Sequence, residues 1–240
     1  MIVRFFSAFL MVLALFYLAT QAYRYVVNHP ADFPWTALRL NDPIGMWTRT
    51  KLLATQSDKE ACQRVFEQAG VTVNVAPAKG SGQCRVDNAV SQPRAASIAS
   101  RLSPSNVTAN CSVMSAYYVW ESQVLQPAAK RFFDAQVTQI QHYGTYSCRR
   151  MYGRSEGRWS EHATANALDV AGFTLSDGTR ISLQRDWTKE GPKAQFLREI
   201  RDGACRLFST VLSPDYNAAH ADHFHLDQAS RGQWGIGVCR

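Results

Sequence analysis

The chain of 240 residues is long enough to bury a sizeable hydrophobic core, which favours one domain or one domain with an appendage. Its composition, with 46% hydrophobic and 19% charged residues, is that of an ordinary globular protein and excludes a disordered or low-complexity chain. The formal net charge of +7 at pH 7 is spread along the chain and suits either an anionic partner or a solubilising surface.

Residues 1–27 predict a transmembrane anchor or an uncleaved signal sequence. No charge lies between Arg4 and Arg24, and residues 5–19 are almost wholly apolar. A helix of about 19 residues is roughly 28 Å long, close to the ~30 Å hydrocarbon core of a bilayer. The best small-residue cleavage site, at residues 20–22, is poor, which favours an anchor over a cleaved signal peptide.

Six widely spaced cysteines predict disulfide bonds and therefore an oxidising compartment outside the cytoplasm. None of them belongs to a Cys-x-x-Cys pair of the kind found in zinc knuckles and redox motifs. The alternative is a set of six buried, reduced thiols. Sequence order favours the local pairing, which is Cys62 with Cys84, Cys111 with Cys148, and Cys205 with Cys239.

The elements that follow the apolar segment are indicated by periodicity and turn residues. Residues 28–57 contain three prolines and little periodicity, and predict an extended tether that contacts the domain through Trp35 and Trp47. Residues 58–69 have helical spacing and end at Gly70, a residue typical of a helix end. The apolar and polar alternation of residues 71–75 predicts a strand.

The second half of the chain alternates between helix and strand signals. A long helix begins near Ser112, and Pro127 should kink it. A strand is predicted over residues 137–143, followed by a loop rich in glycine and arginine over 144–160. The remaining signals predict a buried strand in 166–173, a hairpin at Asp177-Gly178, a helix after Pro192 and a closing strand in the sequence DHFHLD.

Histidine is concentrated in the second half of the chain, where five of the six histidines lie between His142 and His225. Alternation along DHFHLD places His223, His225 and Asp227 on one face of the closing strand, while the apolar residues between them face the core. His142 and His220 could line the same cleft, but each is more often a surface or capping histidine.

A second candidate pair, His162 and Asp169, lies in the stretch SEHATANALDVAGF. Zinc in hydrolytic sites takes three protein ligands and keeps a fourth position for water. His162, Asp169 and one histidine of the closing strand supply that set, and the remaining histidine is then placed as a general base. Without a cation, Asp169 among apolar neighbours would be a buried, unpaired charge. Either motif alone is more often structural.

These residues resemble a known group of enzymes. The pattern S-x-H-x-x-A-x-A-x-D at residues 160–169, with HFH at 223–225, resembles the superfamily of lysostaphin-type and D-alanyl-D-alanine zinc peptidases, which also contains the hedgehog signalling domain. Residues 32–52, 146–173 and 196–227 are more closely similar to the bacterial extensin-like carboxy-terminal domain family. Residues 58–240 are accordingly identified as an extensin-like domain of the zinc peptidase type.

The resemblance implies an α+β fold in which a small antiparallel sheet, packed with helices, carries a zinc site on one face. The transmembrane helix predicted from the apolar N-terminal segment precedes this fold. It implies that His162, Asp169 and His225 bind Zn²⁺ and that His223 is the catalytic histidine. Arg149 stands where related peptidases hold a substrate carboxylate or the developing oxyanion.

Two positions depart from the peptidase pattern. Ala165 stands where the motif commonly has glycine, which is tolerable unless the backbone φ is positive there. His223 stands where many D-alanyl-D-alanine enzymes have glutamate, which favours a mechanism of the lysostaphin type.

The expected function is that of a single-pass inner-membrane protein whose soluble domain faces the periplasm and acts as a zinc peptidase on peptidoglycan stem or cross-link peptides. The alternative is a non-catalytic zinc-containing protein that binds or scaffolds the cell envelope, as the hedgehog relatives show is feasible. A nucleic-acid enzyme is disfavoured by the disulfides and the export signal, so no nucleic-acid partner is expected. The sequence leaves open which peptide bond is cut and whether the N-terminal segment is removed.

Overall fold

Helices and strands mix along the whole chain in the computed structural model, which describes residues 2–231 and 237–240. The helices are Ile2–Asn28 (α1), Thr48–Ala54 (α2), Lys59–Gln68 (α3), Cys111–Trp120 (α4), Gln126–Phe133 (α5), Leu183–Asp186 (α6) and Pro192–Ala204 (α7). The strands are Ala89–Ser91 (β1), Arg101–Ser103 (β2), Thr108–Asn110 (β3), Val137–Gly144 (β4), Ala167–Leu175 (β5), Arg180–Ser182 (β6), Thr210–Leu212 (β7), Phe224–Asp227 (β8) and Val238–Cys239 (β9). The predicted mixture of helix and sheet is confirmed.

Seven strands of the described chain form the main sheet, in the order β2-β4-β5-β8-β7-β9, with β6 paired to β5. The pairs around β5 and β8 are antiparallel, whereas β2 runs parallel to β4 and β9 runs parallel to β7. The prediction of a small, antiparallel sheet is therefore wrong in size and in strand direction. The reason is that β2 and β9 are three and two residues long, too short to show an alternating pattern in the sequence.

The core lies between one face of this sheet and the helices α4, α5 and α7. Phe173 of β5 packs against Trp120 of α4 and Phe196 of α7, with ring centroids 6.3 and 5.6 Å apart. The Trp120 indole N–H donates to the Ile200 carbonyl at 2.8 Å, so this buried polar group is satisfied. Because one face of β5 is covered in this way, its other face is left to carry polar side chains.

Several predicted elements are confirmed. Helix α3 begins after Asp58, whose side chain accepts a hydrogen bond from the Ala61 N–H at 2.8 Å, and ends before Gly70, where φ is +69°. Strands β4 and β5, the turn at Asp177-Gly178 and helix α7 lie where they were predicted. The long helix is interrupted by a π turn, Glu121–Leu125, immediately before Pro127 in the first turn of α5.

The predicted strand over residues 71–75 is wrong. Within this described segment only two isolated bridges form, between Thr72 and Arg94 and between Val75 and Val90. The partner residues, Arg94 and Val90, each form a single bridge, so no continuous ladder of hydrogen bonds develops. An alternating sequence forms a strand only where a neighbouring strand pairs with it.

Residues 28–57 are more structured than an extended tether. They contain helix α2, which packs against α4, and both Leu40 and Leu52 are buried. Trp35 does not hold the segment to the domain, since 72% of its surface is exposed, whereas Trp47 is partly buried. Leu40 and Leu52 of this segment therefore join the hydrophobic core, and Trp35 does not.

All six cysteines form disulfides, but two of the three predicted pairs are wrong. The observed pairs are Cys62–Cys111, Cys84–Cys148 and Cys205–Cys239. Packing overrides sequence order here, because α3 lies against the start of α4, and the turn that holds Cys84 lies against the turn that follows Ser160. Cys148 is thereby tied to a segment more than sixty residues before it.

Helix α1 contains an unburied span, Phe5–Asn28, that is long and apolar enough to cross a membrane. A signal sequence satisfies the same test. The expected membrane helix is thus confirmed as a candidate span or signal sequence.

Candidate metal centre

The pairing of β5 with β8 brings the two sequence motifs together. Asp169 of β5 and His225 of β8 are directly opposite each other, and Ala167 is opposite Asp227 in the same ladder. Phe224 and Leu226 face the core and are fully buried. Since side chains alternate along a strand, His225 and Asp227 point to the opposite face, where Asp169 also lies.

His162 reaches this face from a short turn before β5. The turn, Glu161–Thr164, begins at Ser160, whose hydroxyl accepts from the His162 N–H at 3.3 Å. It ends at Ala165, whose N–H donates to the His162 carbonyl at 3.1 Å. The turn is closed at both ends, so the chain holds His162 in a fixed position beside the strand.

Three side chains, His162, Asp169 and His225, offer ligand atoms that lie within 4.8 Å of one another, and we call this group of candidate ligands the ligand triangle. His162 Nε2 lies 3.2 Å from His225 Nδ1 and 3.1 Å from Asp169 Oδ2. His225 Nδ1 lies 2.9 Å from Asp169 Oδ1. Neighbouring ligands around a tetrahedral zinc ion, with bonds of about 2.0–2.1 Å, are roughly 3.3 Å apart. The spacing of the triangle therefore fits the ligand set of such an ion.

The second ring nitrogen of each ligand histidine faces an oxygen acceptor. His162 Nδ1 lies 3.2 Å from the Thr145 carbonyl, and His225 Nε2 lies 3.0 Å from Asp227 Oδ2. Because a carbonyl only accepts, a hydrogen on His162 Nδ1 satisfies this contact, and the Nε2 lone pair becomes available to a metal that replaces the hydrogen bond to Asp169. This pairing of a ligand imidazole with an outer oxygen is a common feature of metal sites.

His223 stands just outside the triangle. Its Nε2 is 3.7 Å from Asp169 Oδ1, and its Nδ1 is 2.8 Å from Asp222 Oδ1. The other oxygen of Asp222 accepts from the Tyr143 hydroxyl at 3.1 Å, and the Tyr143 ring lies edge-on to the His223 ring. Two neighbours thus hold the His223 ring with Nε2 directed at the ligand triangle.

Electrostatics in the cluster favour an ionised aspartate. Burial would raise the pKa of Asp169, but hydrogen bonds from His162 and His225 outweigh it and hold the pKa well below its usual range. Burial would lower the pKa of His225, yet hydrogen bonds to Asp169 and Asp227 raise it to about 9. In the metal-free protein, therefore, a proton on His225 occupies the place of a cation, and a metal must displace it.

The cluster lies at the bottom of a cleft of about 550 Å³. Arg149 lines this cleft, and its carbonyl accepts from the Ser160 N–H, which ties the arginine loop to the turn that holds His162. His220 also lines the cleft, 5.2 Å from His223 between ring centroids. Burial, followed by repulsion from His225 and His223, lowers the pKa of His220 to about 4. His142 is instead buried against the Pro104 carbonyl, away from the cleft lining.

Ala165 adopts the backbone conformation that makes its departure from glycine significant. Its φ is +53° and its ψ is +30°, in the left-handed region that L-residues other than glycine seldom adopt. The methyl group is fully buried against Val86 and Ala89. Because φ is positive here, alanine is strained at this position where glycine would not be.

Sequence reasoning missed several residues of the cleft. Asp222 and Tyr143 hold His223, and Glu161 faces the cleft with a hydrogen bond from the Asn166 amide at 2.6 Å. Burial raises the pKa of Glu161, and the bond from Asn166 only partly opposes this. The role of Asp222 could be predicted from its position next to His223 in the sequence. The contact of Tyr143 with Asp222 could not, because the two residues are 79 positions apart.

The comparisons with known proteins support the extensin-like part of the resemblance. The model of the family described as "Extensin-like protein C-terminus" matches residues 60–240. No curated protein and no solved structure matches the chain. The chain therefore belongs to the extensin-like family.

Proposed function

We propose that this member of the extensin-like family is a zinc-dependent peptidase that acts on the stem or cross-link peptides of peptidoglycan. The observation that supports it is the ligand triangle of His162, Asp169 and His225, with His223 held one step outside it. A purely structural metal site has no use for a fourth histidine that does not bind the metal but points towards its ligands.

The donor set fits zinc in number and in kind. Two imidazoles and one carboxylate are the ligands of many hydrolytic zinc sites, which keep one position open. A zinc ion bound there supplies a Lewis acid and lowers the pKa of water to ~7. The chain contributes the fixed orientation of both imidazoles through Thr145 and Asp227.

The remaining cleft residues have separate roles. His223 Nε2 takes a proton from the attacking water and later gives one to the leaving amine, while Asp222 keeps Nδ1 protonated. Arg149 binds a carboxylate of the substrate from the cleft wall. These roles require a peptide in the cleft with its scissile carbonyl close to Asp169 and His223.

The substrate and location are inferred from three further features. Three disulfides indicate an oxidising compartment, and α1 is apolar enough to anchor the domain to the inner membrane. Arginines line the cleft, as suits a substrate that carries free carboxylates. A periplasmic domain on a single membrane helix meets peptidoglycan directly, which makes its peptides the favoured substrate.

The test uses the full-length protein in detergent, loaded with zinc, and purified muropeptides followed by mass spectrometry. We expect the wild type to release a peptide product and the His223→Ala variant to lose about 10²- to 10⁴-fold in rate, because a general base is removed. Zinc content should stay at one ion per chain in both. Gln63→Ala, an exposed change on α3 outside the cleft, is the control variant.

A wild type that binds zinc and releases no product from any stem or cross-linked peptide would contradict the proposal. In that case a zinc-containing binding or scaffolding protein of the cell envelope would replace it.

A further inference from the structure

A second groove runs along the same face of the sheet, next to the metal cleft. It has a volume of about 440 Å³ and follows β4, β5 and β6. Ala171, two residues beyond Asp169 on β5, lies in its wall. Tyr143 lines it as well, while its hydroxyl binds Asp222 beside His223. The groove therefore lies beside the residues that hold His223.

The floor of the groove is built from amide and hydroxyl groups. The Gln141 amide donates to Thr174 Oγ1 at 2.9 Å and to Gln139 Oε1 at 3.2 Å, across two strands. Gly172 lies under this row, where a Cβ atom would be 2.7 Å from the Ile181 carbonyl and 3.2 Å from Gln141 Oε1. Glycine at this position thus leaves room for the Gln141 side chain.

The charge of the groove is positive. Arg180 of β6 and Arg185 of α6 line it, and its lining contains no aspartate or glutamate. Within the described residues, neither guanidinium has a carboxylate within 4.0 Å. Two exposed guanidinium groups above a row of amides suit a peptide that carries a carboxylate, because guanidinium binds carboxylate through paired hydrogen bonds.

We infer that this groove binds a carboxylate-bearing portion of the substrate, with Arg180 and Arg185 as residues that determine specificity. Arg180 is opposite Thr174, which lies five residues beyond Asp169 on β5. At about 3.3 Å per residue, the carboxylate would bind about 16 Å from the scissile bond, or roughly five residues of extended peptide. The inference rests on the proposed function, since the cleft must hold the scissile bond.

The test compares two muropeptides that differ only in whether the stem carboxylates are free or amidated. For Arg180→Gln and Arg185→Gln in the full-length, zinc-loaded protein, we expect KM for the free-carboxylate substrate to rise about tenfold with kcat unchanged. The amidated substrate should show no change. Arg64→Gln on α3 removes the same charge far from the groove and should leave both substrates unaffected.

An equal change of KM for both substrates, or no change for either, would overturn the inference. A binding measurement that does not depend on turnover distinguishes a failure of this inference from a failure of the proposed function. In the His223→Ala background, titration calorimetry with the free-carboxylate peptide should show weaker binding when Arg180→Gln is added. If the wild type cleaves nothing, this titration still tests whether the groove binds the carboxylate. Binding that is not weakened by Arg180→Gln would contradict the inference.

Discussion

Asp169 and Glu121 are both buried carboxylates, and their surroundings differ in the kind of partner they supply. Glu121 lies in the π turn with no exposed surface, and its Oε1 accepts hydrogen bonds from neutral groups of Ser100 and Gln126. Asp169 faces three imidazoles, two of which donate to it directly. An amide or hydroxyl donor keeps its hydrogen at neutral pH, whereas an imidazole nitrogen can lose its proton and bind a metal cation instead.

The two environments move the pKa in opposite directions. Burial raises the pKa of Glu121, and its hydrogen bonds only partly oppose this. For Asp169 the hydrogen bonds from His162 and His225 outweigh burial and lower the pKa. Burial of an acid is therefore no sign of function by itself, and the informative feature is the set of partners that keeps it charged.

Replacing Asp169 with asparagine should have the largest effect. We expect Asp169→Asn to weaken zinc binding by more than about 100-fold, because the variant loses the charge that neutralises the ion and orients both histidines. Competition against a chromophoric chelator measures this directly. Glu121→Gln is the matched control, since it makes the same acid-to-amide change at a fully buried carboxylate outside the cluster and should leave zinc affinity unaltered. Equal losses in the two variants would show that the effect is general destabilisation.

The position of the ligand triangle could be predicted from sequence because its chemistry is local. His162 and Asp169 belong to one motif, His225 to another, and the alternation of β8 gives the face on which His225 lies. Asp169 and His225 then become neighbours through a single strand pairing. The short turn before β5 then brings His162 to the same face.

Other features depend on packing that a single sequence does not encode locally. Cys62 pairs with Cys111 only because α3 lies on the start of α4. The short edge strands β2 and β9 are defined by their neighbours and not by their own residues. Glu121 gave no signal at all, because one polar residue in a long helix is ordinarily exposed to solvent and becomes informative only when the helix is seen to be covered.

Glu121→Gln should also change stability in a pH-dependent way. The raised folded pKa means that the protonated acid stabilises the fold fully below the unfolded pKa of about 4.5, and that this contribution is lost as pH rises through the folded pKa. Glutamine keeps the acceptor oxygen and never ionises. We therefore expect Glu121→Gln to be more stable than the wild type at pH 8, on the order of 1 kcal/mol, with the difference closing towards pH 4.5. Denaturant unfolding at a series of pH values measures it, and a difference independent of pH would contradict it.

The smallest effect on the free energy of unfolding is expected for Ala165→Gly, in the turn that precedes Asp169. Glycine would relieve about 1 kcal/mol of left-handed backbone strain, but it would lose a buried methyl group worth about 0.8 kcal/mol and would add freedom to the unfolded chain. We expect Ala165→Gly to change the free energy of unfolding by less than about 1 kcal/mol and to leave zinc affinity unchanged. Ala165→Val, which places a branched side chain at the same φ against Val86 and Ala89, should cost more than about 2 kcal/mol. If glycine were as damaging as valine, packing of the methyl group and not the backbone angle would govern this position.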